Sequence, residues 1–279
     1  MKISLCLAGG GVKGVAHIGV LKALEEKQIE ITHIGGTSSG SIVSALYTAG
    51  FTADEIYEVF KKYCKKIKYV DLYNILKLIG GPIFTCKIVI KGLNSGKVIE
   101  NLINKVCNKK GIYTISDIKK TLAIPSINMA NGEVICFTSS QIRSGYSDNT
   151  IFVEDVTIGK AVRASCSYPV VFSPCKYKDM ELIDGGIREN VPWKELKVLG
   201  AENILSVVFE TEKEEDCCNN FIEVAGRSID LLCRELSQHE MNGANKVLTI
   251  KSKKVGLLDI DKMDYLYELG YKQAREFLM

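Results

Sequence analysis

The sequence predicts an α/β protein built on a mostly parallel central sheet, and two observations carry that expectation. Ile3 to Ala8 is an apolar run of strand length, followed by Gly9-Gly10-Gly11-Val12-Lys13-Gly14 and then by a helical segment from Val15 to Lys27. Ile31 to Gly35 repeats the pattern: a short apolar run, a tight Gly36-Thr37-Ser38-Ser39-Gly40 turn, and a second helix from Ser39 to Ala49 closed by Gly50. Strand, glycine loop, helix, strand, turn, helix is how a parallel α/β sheet begins.

Each element has a local reason. The first helix is apolar at Val15, Ile18, Leu21 and Leu24 and turns charged at Glu25, Glu26 and Lys27, where it should leave the core. Thr52-Ala53-Asp54-Glu55 has the form of a capping box and opens a helix with Ile56, Val59, Phe60 and Tyr63 on one face. Residues 70 to 92 are apolar, broken at Gly80-Gly81-Pro82, and fit no single element. Ser95 to Val106 reads as a helix, and Thr114-Ile115-Ser116-Asp117 starts a short one. That leads to Leu122 to Met129; Glu133 to Thr138 reads as a strand, with a hairpin turn suggested from Asn131. The chain has five prolines, and Pro169, Pro174 and Pro192 fall close together, which stiffens the loops around them. Lys176 to Ile183 reads as a hairpin ending in Asp184-Gly185-Gly186. Further strands are expected at Ile204 to Phe209 and Val247 to Ile250. Helices are expected at Phe221 to Glu240, with Ile222, Ala225, Ile229 and Leu232 on one face, and at Asp261 to Leu278. Glu210 to Asn220 reads as a polar surface loop. No repeat, linker or composition break divides the chain, so residues 1–279 are expected to form one domain.

Composition narrows the function. Hydrophobic residues make up 46% and charged residues 25%, as in a globular protein with a sizeable core. A net charge of +3 is too small to point to nucleic acid. The ten cysteines are scattered without a CxxC pair, which argues against a zinc ribbon. With no secretory signal and no apolar stretch of about 18 residues, the expectation is a cytoplasmic protein with free thiols and no transmembrane span. Lys61, Lys62, Lys65, Lys66 and Lys68, interleaved with Tyr63, Ile67 and Tyr69, offer a stretch that can meet an anionic membrane surface peripherally, or serve simply as a solvated helix face.

Three chemistries compete for the motifs. Gly9-x-Gly11-x-x-Gly14 after a strand fits a dinucleotide-binding loop, but the acidic residue that should close the second strand is absent: that strand ends in Gly35-Gly36-Thr37-Ser38. The same loop, opening a helix, can instead aim backbone N–H groups at an oxyanion, with Lys13 adding positive charge beside it. Gly36-x-Ser38-x-Gly40 is the pattern of a strained strand-to-helix turn that exposes a nucleophilic serine. That serine needs a base, and the chain has three histidines. His17 falls on the core side of the first helix, and His33 falls at the wrong end of the second strand. The order Ser38, Asp184, His239 matches an α/β-hydrolase triad, although His239 sits near the end of a long helix rather than on a loop after the last strand. In the remaining alternative Asp184 acts directly as base, which requires partial desolvation of its carboxylate.

Taken together these motifs resemble the patatin-like phospholipase family. Gly9 to Gly14 is similar to its oxyanion loop, with Lys13 at the basic position and His17 in the following helix. Gly36 to Gly40 resembles its nucleophile elbow, and Ala164-Ser165-Cys166-Ser167-Tyr168-Pro169 with Phe172 and Pro174 its characteristic loop. Asp184-Gly185-Gly186 with Asn190 and Pro192 resembles its Asp-Gly-Gly motif, and Leu269-Gly270-Tyr271 its last helix. Ala8 departs from the aspartate of many members, and Arg188-Glu189 is unusual after Asp-Gly-Gly. The resemblance implies a three-layer α/β/α fold and a serine hydrolase cleaving carboxylic esters of phospholipids or lysophospholipids. Ser38 is then the nucleophile and Asp184 the general base and acid. Gly9, Gly10, Gly11 and Lys13 form the oxyanion loop, and Gly14, Gly36, Gly40, Gly185 and Gly186 support the motifs. It implies no metal or other cofactor. A catalytically silent lipid-binding protein on the same fold remains the further alternative.

Overall fold

In a computed structural model of the chain, residues 1–64, 91–140, 150–211, 221–241, 246–253, 255–256 and 259–279 are described. Lys65, Lys66, Lys68 and the apolar 70–90 run lie outside them, as do Cys217 and Cys218.

Strands β1 (Lys2–Leu7) and β2 (Glu30–Gly36) flank the first helix, α1 (Val15–Glu26), and pair in parallel. Helices α2 (Ser39–Thr48) and α3 (Ala53–Tyr63) come next, then α4 (Lys97–Cys107). The capping box of α3 forms as the sequence predicts. Glu55 N–H donates to Thr52 Oγ1 at 3.2 Å, and Thr52 N–H donates to Glu55 Oε2 at 2.9 Å. Strands β3 (Thr121–Asn128), β4 (Val134–Thr138) and β5 (Thr150–Val153) continue the sheet, and α5 (Ile158–Ser165) returns along it. The hairpin is β6 (Cys175–Tyr177) and β7 (Met180–Asp184), followed by α6 (Trp193–Val198), a helix the sequence did not announce. The remainder is β8 (Ile204–Thr211), α7 (Phe221–Glu240), β9 (Lys246–Ser252) and α8 (Met263–Phe277).

The main sheet runs β5-β4-β3-β2-β1-β8-β9. Its pairs β1/β2, β1/β8, β2/β3, β8/β9 and β4/β5 are parallel, while β3 is antiparallel to β4 and β7. The period-2 alternation of β1 sorts its side chains between two cores. Ile3, Leu5 and Leu7 enter the larger core with α1 and α2, whereas Cys6 and Ala8 enter a smaller one with Leu196 and Leu199 at α6. The result is the three-layer α/β/α arrangement expected from the sequence.

Two junctions position the candidate site. The first joins α1 to α8 through paired glycines. A Cβ on Gly19 would lie 2.1 Å from Tyr267 O, and one on Gly270 would lie 2.0 Å from Ala16 O, so the two helices meet backbone to backbone. The second is in the sheet. On the side of β3 away from β4, β2 pairs up to Gly35 opposite Ala123, and β7 pairs from the other direction with Asp184 opposite Ser126. These positions on β3 are about 10 Å apart. Two strands from distant parts of the chain therefore run toward each other along one line, and the gap between their ends receives both the turn after β2 and the carboxylate that closes β7.

Helix α7 departs from the apolar face expected of it. Leu232 is 70% exposed, Val224 52% and Leu231 51%, while Ser237 and Glu240 turn inward to meet the segment after Asp184. Its inner contacts are hydrogen bonds: Tyr168 Oη donates to Gly226 O at 3.2 Å, and Trp193 Nε1 donates to Glu240 O at 2.9 Å. Of the proposed cationic stretch, Lys61 lies 3.5 Å from Asp264 and over the Tyr57 ring, and Lys62 lies over Tyr63. Among the described residues no helix is long and apolar enough to cross a membrane.

Candidate active site

Ser38 sits at the junction of β2 and α2 with φ 51° and ψ −122°. This backbone region is strained for a residue with a Cβ, at about 1–3 kcal/mol, and it holds the side chain clear of the turn. The surrounding bonds enforce it. Thr37 N–H donates to Leu7 O at 3.1 Å, Gly40 N–H to Thr37 O at 2.8 Å, and Ser41 Oγ to Ser38 O at 2.6 Å. Ser38 N–H donates to Ser165 Oγ at 3.0 Å, and Thr37 Oγ1 donates to Glu189 O at 2.9 Å. The elbow is too crowded for side chains at its glycines. A Cβ on Gly36 would lie 2.3 Å from Gly40 O, and one on Gly40 would lie 2.3 Å from Leu7 O.

Ser38 Oγ donates to Asp184 Oδ2 at 2.6 Å, and Gly186 N–H donates to Asp184 Oδ1 at 2.8 Å. Asp184 is 2% exposed. Burial pushes its carboxyl up to about 7, opposed by the bonds from Ser38 and Gly186. The desolvation that a carboxylate base requires is therefore present. Gly185 is close-packed beneath it, since a Cβ there would lie 2.6 Å from Pro125 O.

The glycine loop lies beside the dyad. A Cβ on Gly9 would approach Ser38 Cβ to 3.2 Å. Gly9 N–H itself donates to Asn190 Oδ1 at 3.0 Å, so that amide is already engaged. Gly11–Gly14 form a 3₁₀ turn running directly into α1, so the loop meets α1 at its N-terminal end, where backbone N–H groups lack helical acceptors. Lys13 is buried rather than solvent-facing, and burial lowers its pKa. A Cβ on Gly14 would lie 2.6 Å from Ser39 Cβ, which fits this turn against the elbow.

The histidines divide as the sequence indicated. His17 is fully buried, donates from Nε2 to Ala8 O at 2.8 Å and packs at 4.6 Å against Phe209. Burial lowers its pKa to about 4, which keeps it neutral. His33 pairs opposite Ser4 near the start of β2 and bonds Thr32 Oγ1 through Nδ1 at 2.9 Å. The side chain of His239, the third member of the triad alternative, lies outside the described residues. The Cys166 thiol is pushed up to about 12 by burial, which leaves it a poor nucleophile beside Ser41.

Several residues at the site were not singled out by sequence. Arg163 on α5 is buried. It donates from Nε to Ser95 O at 3.0 Å, from Nη2 to Ser173 O at 2.6 Å and from Nη1 to Ser167 Oγ, tying down the proline-rich loop whose Ser167 O accepts from Asp184 N–H at 3.1 Å. In sequence it reads as an ordinary exposed helix cation. Glu189, Glu195 and Glu240 are buried behind the Asp-Gly-Gly turn, and burial raises the pKa of each. Glu240 accepts from Asn190 N–H at 3.3 Å and from Val191 N–H at 3.2 Å. In the unusual Arg188-Glu189 pair, Arg188 Nη1 donates to Gly132 O, and the main-chain carbonyl of Glu189, which any residue would supply, holds Thr37.

A strained serine hydrogen-bonded to a buried carboxylate, with a glycine-rich helix start beside it, is the arrangement this α/β fold presents. The patatin-like phospholipase family model matches residues 5–197 of the chain, and the chain belongs to that family. It is 30% identical over 199 residues to an uncharacterized protein, YqhO, of Bacillus subtilis strain 168, covering 69% of this chain and 66% of that one. It is 30% identical over 205 residues to the lysophospholipase NTE1 of Meyerozyma guilliermondii, covering 74% of this chain and 12% of that protein. It is 28% identical over 301 residues to the mouse patatin-like phospholipase domain-containing protein 6, covering 98% of this chain and 20% of that protein. The chain thus spans about two thirds of the bacterial relative and a small part of the eukaryotic ones. Among solved structures, VipD from Legionella pneumophila matches with a TM-score of 0.53 at 15% identity, covering 99% of this chain and 66% of that one. The type III effector ExoU matches with a TM-score of 0.51 at 16% identity, covering 99% of this chain and 53% of that one. These likenesses extend the fold assignment across nearly the whole chain.

Proposed function

We propose that residues 1–279 act as one catalytic domain, a serine lipid acyl hydrolase that cleaves carboxylic esters of phospholipids or lysophospholipids. The observation that carries this reading is the 2.6 Å bond from Ser38 Oγ to the buried Asp184 carboxylate at a strained elbow. The lysophospholipase name of the fungal relative supports the substrate class.

In the proposed reaction Asp184 takes the hydroxyl proton as Ser38 Oγ attacks the ester carbonyl. Negative charge on the carbonyl oxygen is held by the amides of Gly10 and Gly11, since that of Gly9 is engaged by Asn190. The burial of Lys13 supports a role in packing the turn in addition to supplying positive potential. Collapse of the tetrahedral intermediate expels the alcohol, which receives the proton from Asp184. A water then attacks the acyl-serine, giving a proton to Asp184; as the second intermediate collapses the fatty acid leaves, and Asp184 returns that proton to Ser38 Oγ. No step calls for a metal or cofactor.

The pH profile tests the reading. Only ionised Asp184 can take the Ser38 proton, and its carboxyl stands at about 7. Hydrolysis of a short p-nitrophenyl ester is expected to level off above that value. Below it, kcat/KM falls about tenfold per pH unit as the base is protonated. A profile flat from pH 5 to 9, in protein that stays folded throughout, contradicts Asp184 as the base.

A further inference from the structure

The oxyanion loop leaves β1 through a single peptide unit, that joining Ala8 to Gly9. Both polar atoms of this unit are held by side chains from elsewhere in the fold. Ala8 O accepts from His17 Nε2 at 2.8 Å, and Gly9 N–H donates to Asn190 Oδ1 at 3.0 Å. One partner comes from α1, the helix the loop opens into. The other comes from the segment after Asp184.

Each partner is itself held. Asn190 Nδ2 donates to Ser237 Oγ at 2.8 Å, and Ser237 Oγ donates on to Cys233 O at 2.7 Å within α7. The Asn190 and Val191 amides both donate to the Glu240 carboxylate at the end of α7. Asn190 Oδ1 also lies within 3.1 Å of where a Gly186 Cβ would stand, which places it between the glycine loop and the turn that carries Asp184. His17 is packed on Phe209, which also closes on the loop: a Cβ on Gly10 would lie 2.8 Å from Phe209 Cδ2. A glycine-rich segment has many backbone conformations of similar energy. Fixing the plane of the peptide that enters it removes much of that freedom and sets the direction of the next amides.

We infer that Asn190 and His17 are positioning residues for the oxyanion hole: together they clamp the Ala8–Gly9 peptide plane and so aim the Gly10 and Gly11 amides at the reacting carbonyl. This rests on the acyl-hydrolase reading. The clamp makes α7 part of the catalytic apparatus without its touching substrate, because Ser237 and Glu240 hold Asn190 in place.

The test compares an ordinary ester with its thionoester, in which sulfur replaces the carbonyl oxygen. The longer C–S bond and weaker acceptor make sulfur a poor fit to donors placed for oxygen, so a preorganised hole favours the oxygen ester. For Asn190→Ala and for His17→Phe, kcat on the oxygen ester is expected to fall about 10- to 100-fold with KM within about twofold. The thionoester rate should change far less, so the oxygen-to-sulfur preference collapses at least tenfold. His17→Gln, whose amide can reach Ala8 O, should recover part of the preference. Circular dichroism and thermal midpoints identify any variant that fails to fold, and His17→Gln then carries the comparison. Equal slowing of both esters, with the preference unchanged, overturns the clamp while leaving the acyl-hydrolase reading intact. Absence of ester hydrolysis by the wild-type chain removes that reading, and the clamp with it.

Discussion

Asp184→Asn is expected to slow ester hydrolysis by about 10²- to 10⁴-fold, the range for loss of a positioned general base, without loosening the fold. The replacement keeps the shape of the side chain, and its amide oxygen can still accept from Gly186 N–H, which donates to Asp184 Oδ1 at 2.8 Å. It cannot take the proton of Ser38. The surviving rate should be the contribution of the oxyanion loop and of substrate binding. Stability is expected to move the other way. The folded-state pKa of Asp184, about 7, lies above the ordinary carboxylate value of 3.8. The stabilisation linked to this group is therefore complete below the unfolded value and is lost as pH rises through about 7. Above that pH the wild type buries a charge in the gap between β2 and β7, and the asparagine variant does not. Thermal unfolding at pH 8 should show a midpoint equal to or above that of the wild type. A variant both inactive and markedly less stable would attribute the lost activity to the fold.

The largest effect on stability is expected from Gly270→Ala. Its new Cβ would stand 2.0 Å from Ala16 O, a backbone atom that cannot rotate away. Overpacking usually costs about 1–3 kcal/mol, and a clash with backbone belongs at or above the top of that range. At about 3 kcal/mol the midpoint should fall by roughly 6–12 °C for a domain of this size. The matched control is Gly226→Ala in α7, where a Cβ meets nothing within 4 Å. It should be neutral or stabilise by up to about 1 kcal/mol, since alanine is the better helix former. The first substitution bears on function as well as packing. Ala16 precedes His17, so separating α1 from α8 should also disturb the histidine that holds Ala8 O.

Much of the site was legible because its motifs are requirements of the local backbone. Gly36 and Gly40 flank a residue at positive φ in a crowded turn, and Gly9 to Gly14 make a loop that enters a helix; both demands are written within a few residues. The exclusion of His17 was legible too, because a histidine on the apolar stripe of a helix ending at Glu25 and Glu26 has to be buried. The pairing of Ser38 with Asp184 rested on the lack of a suitable histidine and on family resemblance, not on a local pattern. It depends on β2 and β7 sharing one side of β3, and no local pattern records which distant strands are collinear. Arg163 and Glu240 were hidden for a related reason. Charged residues on amphipathic helices read as solvated until the carbonyls and amides they serve arrive from other parts of the chain. Helix α7 misled in the opposite sense. Its aliphatic residues have the spacing of a core face, yet Leu232 faces out, and it is Ser237 and Glu240 that meet Asn190.

Labelling with a fluorophosphonate ester reads whether Ser38 is an activated, accessible nucleophile. The phosphorus mimics the attacked carbonyl, and loss of fluoride leaves a stable bond to the reacting oxygen. Mass spectrometry of the digested protein should find one adduct, on the peptide containing Ser38, absent from Ser38→Ala and formed far more slowly in Asp184→Asn. A folded wild-type protein that takes up no label, or takes it up as readily when Ser38 is alanine, would rule out Ser38 as the nucleophile.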